Sequence, residues 1–220
     1  MQKAQVYFLE SNTSVRNRLT HTIEVADIGR TLSRQVGKQL QSMGPASEED
    51  VECIQAIVES ACLLHDIGNP PFGHFGEEAI KAWFRKNSAK VLNGVEDELP
   101  LGFDQTRRLS DFFLFDGNPQ GFRIATRLHC DIDQFSLNLT CSTLLASVKY
   151  PNCGEIPSNS HFPKKLGIFS SEREVYDDVI GIAGVKPGHR YFLAYLMELS
   201  DDICYCLSDI ADSFEKGVTD

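Results

Sequence analysis

The 220-residue chain carries 21 Lys and Arg against 31 Asp and Glu, and the resulting formal charge of −10 excludes a surface suited as a whole to nucleic acid. Its 42% hydrophobic content suffices for one sizeable core or two small ones, but no apolar run approaches the ~20 residues of a membrane span, and the start has no signal-peptide layout. Seven scattered cysteines without a CxxC pair read as buried thiols in a reducing cytoplasm, neither a disulfide frame nor a zinc knuckle.

Residues 4–8 are compatible with an extended segment, and helical periodicity dominates after them. A first helix is expected over 15–41, where His21 lies on the stripe of Val25, Ile28, Leu32 and Val36 and so faces inward. A second follows over 48–64, opened by the acid-rich Ser47-Glu48-Glu49-Asp50, which approximates a capping box. Further helices are expected over 77–86, 119–129, 140–149, 172–181 and 187–216, the last with Pro187 in its first turn and Gly217 at its stop. Two loops, 88–105 and 151–163, are too short to serve as domain boundaries. The expectation is one all-α domain over 1–220.

The chemistry concentrates in HDIGNPPFGHFGEEAI (65–80). Neighbours on an ideal helix diverge by ~100°, so His65 and Asp66 can converge on one ion only where the helix ends, and Gly68-Asn69-Pro70-Pro71 ends it. The glycines would let backbone approach a ligand closely. Divalent ions need more ligands than this pair supplies. His21 comes from the first helix and Asp201 from the last, where an acid on the apolar side calls for a cation or a hydrogen bond. His21, His65, Asp66 and Asp201 together form two imidazoles and two carboxylates, with Asp202 as the neighbouring alternative to Asp201. Mixed ligation of this kind suits Mg²⁺ or Mn²⁺, and also Fe²⁺, Co²⁺ or Zn²⁺. His74 and Glu77 stand at i and i+3, where a carboxylate can fix an imidazole tautomer for general acid or base work. Arg18 lies one turn before His21 and can meet phosphate without competing for metal. Lys149 closes a helix, where the bland reading is a favourable dipole contact.

The order H…HD…D resembles the HD-domain metal-dependent phosphohydrolases. The segments HDIGNPPFGHFGE (65–77) and SDDICYCLSDI (200–210), with QKAQVYFLESNTSVRNRLTHTIEV (2–25), DGNPQGFRIATRL (116–128), LLASVKYP (144–151) and KKLGIFSSE (164–172), narrow the resemblance to the bacterial deoxyguanosine triphosphate triphosphohydrolases. It implies an HD-domain helical bundle with the metal site between helices, and hydrolysis of a deoxynucleoside triphosphate, dGTP foremost, to deoxynucleoside and triphosphate. It makes His74 and Glu77 the catalytic pair at the α-phosphate. Gln5, Tyr205 and Asp209 would surround the deoxyribose, while Arg18, Lys149 and Tyr150 would contact phosphate. Asn69, where some HD enzymes carry another histidine, favours a mononuclear site. The resemblance also implies a homo-oligomer when full length, a single-stranded DNA effector and no membrane. Family members continue further at both ends, so the chain reads as their N-terminal catalytic portion. Two alternatives accompany this reading: another HD nucleotide phosphohydrolase, such as a deoxynucleoside monophosphate phosphatase, or a non-catalytic metal- or nucleotide-binding fragment.

Overall fold

The computed structural model describes residues 17–93, 105–130, 134–156, 162 and 165–215. Among them the regular structure is helical, with one isolated parallel bridge between Cys153 and Ile168, as the all-α expectation requires. The helices are α1 (Arg18–Met43), α2 (Glu48–Leu64), α3 (His74–Asn93), α4 (Gln105–Phe113), α5 (Gly117–Arg123), α6 (Cys141–Ala146), α7 (Arg173–Ile182) and α8 (Phe192–Glu215). A π-helical turn, Ile124–Leu128, extends α5, and a 3₁₀ turn, Ser170–Glu172, leads into α7. No helix among the described residues is long and apolar enough to cross a membrane. The chain divides into two compact units, one of Met1–Asp66, Leu139–Lys149 and Arg190–Asp220, the other of Ile67–Asn138 and Tyr150–His189.

In the first unit α1, α2, α6 and α8 pack on one another. Asn17 caps α1: its side chain accepts from the Leu19 and Thr20 amides, and its own amide donates to Thr20 Oγ1 at 3.1 Å. Ser47 caps α2 as the sequence suggests, its amide donating to Asp50 Oδ2 at 2.8 Å and its hydroxyl accepting from the Asp50 amide at 3.1 Å. The shared core joins Val25, Val58, Ala61, Cys62, Ala146, Leu193 and Met197. The inward row of α1 is His21, Val25, Gly29, Ser33 and Gly37. Its small members decide how close the helices come. A Cβ on Gly29 would stand 2.5 Å from Cys62 Sγ and 3.4 Å from Ser200 Oγ. Gly29→Ala should therefore lower stability by about 1–3 kcal/mol through overpacking. Thermal unfolding checks this, and adding Cys62→Ala should restore much of the loss because it removes the colliding sulfur.

In the second unit α3 packs on α4, with Phe84 stacked on Phe112 at 4.1 Å between ring centroids. Phe115, Leu166 and Phe169 form its apolar centre, joined by Ile80, Phe112 and Ile156. Buried polar groups tie the loops down. Asp111 accepts from the Ser170 amide at 2.9 Å, and Arg123 donates to Glu172 at 3.1 Å while lying 4.2 Å over the Phe169 ring.

Several expected boundaries are corrected. Helix α3 begins at His74 instead of residue 77, because the Gly73 carbonyl already accepts from the Glu77 amide at 3.0 Å, and it runs on to Asn93. Helix α4 was not expected; it is nine residues long, and its apolar Phe112 finds a partner only in the folded chain. Helix α8 starts at Phe192, not in the turn of Pro187, where Gly188 takes φ +76°. Gly68, expected to admit a ligand, instead makes room for α5: a Cβ there would stand 2.0 Å from the Gly117 carbonyl oxygen and 2.2 Å from the Gly121 nitrogen. The proposed extended segment 4–8 and Gly217 lie outside the described residues.

Candidate metal centre and proton-transfer pair

The first unit gathers His21 from α1, His65 from the end of α2 and Asp201 from α8, with one ligand atom of each within 4.8 Å of the others. His21 Nε2 lies 3.1 Å from Asp201 Oδ1, and His65 Nε2 lies 3.5 Å from the same oxygen. His65 is the C-terminal cap of α2, so its ring leaves the helix where the backbone is about to turn. Its Nδ1 lies 2.6 Å from the Cys62 carbonyl oxygen. A carbonyl only accepts, so the proton of neutral His65 sits on Nδ1 and the bare Nε2 lone pair faces Asp201. Burial pushes the His65 imidazole below its ordinary pKa, with Asp201 and Asp66 opposing that shift. His65 is thereby kept neutral near neutral pH, the form that can coordinate a metal.

Asp201 is held ionised. Burial alone would raise its pKa, but the His21 ring in contact with it, the nearby His65 and the Lys149 ammonium outweigh it and hold the group well below the usual carboxylate range. Lys149 Nζ donates to Asp201 Oδ2 at 2.7 Å. Arg18 is paired with the Asp66 carboxylate, while the buried Arg18 Nε finds no acceptor among the described residues. Asp66 thus lies in an ion pair with Arg18, outside the group His21, His65 and Asp201. Asp202 is exposed, so Asp201 is the member of that acidic pair directed to the imidazoles. The Tyr205 ring meets His21 edge-on at 5.7 Å. Asp209 lies two turns beyond Asp201 on α8, and Gln5 lies outside the described residues.

Two imidazole nitrogens and a carboxylate oxygen converging from three helices fit a divalent ion. The donors are of the right kind for such an ion.

In the second unit His74 opens α3, and its Nδ1 donates to Glu77 Oε2 at 2.7 Å. The Glu77 side chain is 5% exposed, whereas the His74 side chain is 80% exposed, so a buried anion holds a ring that solvent and solutes can reach. Glu77 has a second anchor that the sequence reading missed: its Oε1 accepts from the Gly117 amide at 2.9 Å. With Nδ1 committed to Glu77, His74 Nε2 is the nitrogen available for proton transfer. Between these residues and the end of α2, Phe72 takes φ +67°, a conformation few aromatic residues adopt. Tyr150, expected at phosphate, meets Phe162 edge-on at 6.2 Å and lies beneath Lys165 at 5.8 Å.

Comparison with known proteins gives consistent similarities. The HD domain family matches residues 18–109, a span that includes His21, His65, Asp66, His74 and Glu77. The chain is 41% identical, over its whole length, to a Pseudomonas aeruginosa protein named "Probable deoxyguanosinetriphosphate triphosphohydrolase", of which it covers 45%. It is 37% identical to a Listeria monocytogenes "Deoxyguanosinetriphosphate triphosphohydrolase-like protein" over 98% of the chain and 47% of that relative. It is 34% identical to a Yersinia enterocolitica "Deoxyguanosinetriphosphate triphosphohydrolase" over 99% of the chain and 47% of that relative. The chain spans about half the length of the curated relatives it matches. With His21, His65 and Asp201 gathered as the motif H…HD…D leads one to expect, residues 18–109 match the HD domain, and the whole chain is similar to proteins named deoxyguanosinetriphosphate triphosphohydrolase or deoxyguanosinetriphosphate triphosphohydrolase-like.

Proposed function

We propose that the chain hydrolyses deoxynucleoside triphosphates, dGTP foremost, to deoxynucleoside and inorganic triphosphate, with a divalent ion held by His21, His65 and Asp201. The observation that carries this reading is the convergence of those three donors within 4.8 Å, in a chain whose relatives are named for that reaction. Asp66 completes the ligand set once Arg18 turns from it to phosphate. When bound, the ion supplies positive charge for phosphate oxygens and acidifies a water, and Mg²⁺ or Mn²⁺ suits the mixed donors.

The rest is work for side chains. Arg18 brings a delocalised cation and a buried Nε–H without an acceptor among the described residues, a donor suited to a phosphate oxygen. Lys149 and Tyr150 serve the phosphates with it. His74 accepts at Nε2 the proton of a water attacking the α-phosphorus, and the buried Glu77 carboxylate stabilises the imidazolium so formed. The bond from phosphorus to O5′ breaks; triphosphate leaves with the oxygen of water, and the deoxynucleoside leaves with a proton on O5′. The short contact between the Tyr205 ring and His21 supports placing Tyr205 against the sugar, with Asp209 and Gln5 accepting from or donating to the 3′-hydroxyl.

Sugar selection tests this part. With Mn²⁺ present, dGTP should turn over at least ~10²-fold faster than GTP or a 3′-deoxy analogue, because a 2′-OH meets the ring face unpaired and a missing 3′-OH strands the groups that bound it. Tyr205→Ala should narrow the dGTP/GTP ratio. Equal rates for GTP and dGTP in an active preparation would overturn the sugar pocket while leaving the metal centre standing. The assembly as a homo-oligomer, a response to single-stranded DNA and a cytoplasmic setting belong to the same proposal.

A further inference from the structure

The chain holds a thiol where a metal-ligating histidine ordinarily finds a carboxylate or carbonyl. Cys204 is 2% exposed and His21 is 1% exposed, so both are sealed from solvent. Cys204 Sγ lies 3.6 Å from His21 Nδ1 and 3.6 Å from Glu24 Oε2. Glu24 is on α1, one turn after His21, and Cys204 is on α8, one turn after Asp201. The ligand-bearing faces of both helices therefore carry this second set of groups directly behind the ligands. None of the chemistry assigned above uses them.

The hydrogen-bond inventory gives the line a direction. A thiol has one proton to donate and a sulfur that accepts weakly, whereas an ionised Glu24 only accepts. If the S–H proton goes to Glu24, the sulfur is left to accept, and the only donor His21 can offer is Nδ1–H. That tautomer leaves Nε2 bare, 3.1 Å from Asp201 Oδ1, as metal coordination requires. The opposite tautomer places the proton on Nε2, where it bonds to Asp201 and blocks the ligand position. His65 is fixed differently, by the Cys62 carbonyl at 2.6 Å, so each imidazole has its own tautomer lock.

We infer that Cys204, oriented by Glu24, is a positioning residue that holds His21 in the Nδ1–H tautomer and so sets the affinity of the centre for its divalent ion. This rests on the metal reading proposed above and adds to it two residues with no ligand role. Cysteine at this place is used for its hydrogen-bonding geometry in a dry site, not for nucleophilicity.

The test is Mn²⁺ affinity, measured by chelator competition on the whole 220-residue chain, with ¹⁵N NMR of the His21 ring as a second readout. Cys204→Ala should weaken Mn²⁺ binding about 10–100-fold, the usual consequence of losing a partner behind a ligand. Cys204→Ser, which still accepts from Nδ1 and donates to Glu24, should stay within a few-fold of wild type. Glu24→Ala should fall between the two. In the wild type loaded with Mg²⁺, the ¹⁵N pattern should report a protonated Nδ1. A Cys204→Ala protein that binds Mn²⁺ as tightly as wild type, a Ser variant as weak as the Ala variant, or a protonated Nε2 in the loaded protein would each overturn the inference. Should Cys204→Ala fail to fold, the wild-type tautomer decides by itself. Failure of the wild type to bind Mn²⁺ at all would instead sink the metal reading, and this inference with it.

Discussion

His65→Ala should weaken divalent-metal retention by more than ~100-fold and abolish triphosphate release, while helix content stays close to wild type. His65 projects its Nε2 from the end of α2 toward Asp201, and Ala in its place keeps the helix but removes the donor. The variant leaves one imidazole with the Asp201 and Asp66 carboxylates, an incomplete set that holds a divalent ion far more weakly. Asp201→Asn should do the same for a further reason: it removes the negative charge that His21, His65 and Lys149 surround and stabilise. Asp202→Asn is the internal control, because Asp202 is exposed and should leave metal content unchanged. Metal content per chain after gel filtration, with circular dichroism beside it, separates loss of ligand from loss of fold. Full metal occupancy in either ligand variant would show that the donor set is misassigned.

His74→Ala should depress turnover by ~10²–10⁴-fold with metal still bound, the range that general acid or base participation supplies. Glu77→Gln should be nearly as harmful. It keeps a side chain of the same shape, but the amide cannot stabilise an imidazolium, and it cannot be relied on to satisfy both the His74 ring and the Gly117 amide. The losses should not multiply in the double variant, because two groups acting as one relay fail together. Rates for both single variants and the double variant, with metal content measured in parallel, check this. Multiplicative losses would assign the two residues independent roles.

The metal motif was legible in the sequence because its members are chemically conspicuous. His21 interrupts an apolar helical stripe and is buried, and Asp201, on the apolar side of a long helix, is half-buried against it; the expected stripe members Ile28, Leu32 and Val36 are only partly buried. The helix starts at Glu48 and the caps around it were legible for a similar reason, since Ser47 and Asp50 answer each other over three residues. What stayed hidden depends on partners far along the chain. The centre of the inward face of α1 is Gly29, Ser33 and Gly37, small residues that no hydrophobic count singles out, yet they set the approach of α2. Nothing local marks Gly117 as the anchor of Glu77, forty positions earlier, because the donor is a backbone amide. Cys204 read as one more buried thiol; only the fold brings its sulfur beside His21, 183 positions away. Arg18 read as a phosphate contact, and its pairing with Asp66 adds that it also balances a carboxylate of the motif.

The division into two units has a physical counterpart in the chain order. The first unit is assembled from three separated segments, with α1 and α2 at the start and α8 at the end, and its core is shared by residues of all three. The return of α8 to α1 also brings Asp201 to His21.

The most direct test of the proposed function is to incubate the chain with dGTP and Mn²⁺ and to analyse the products by ion-exchange chromatography. Deoxyguanosine and intact inorganic triphosphate should appear in equal amounts, with the triphosphate carrying ¹⁸O when the reaction is run in labelled water. Orthophosphate or pyrophosphate as the phosphate product, or no turnover from a metal-loaded preparation, would contradict it.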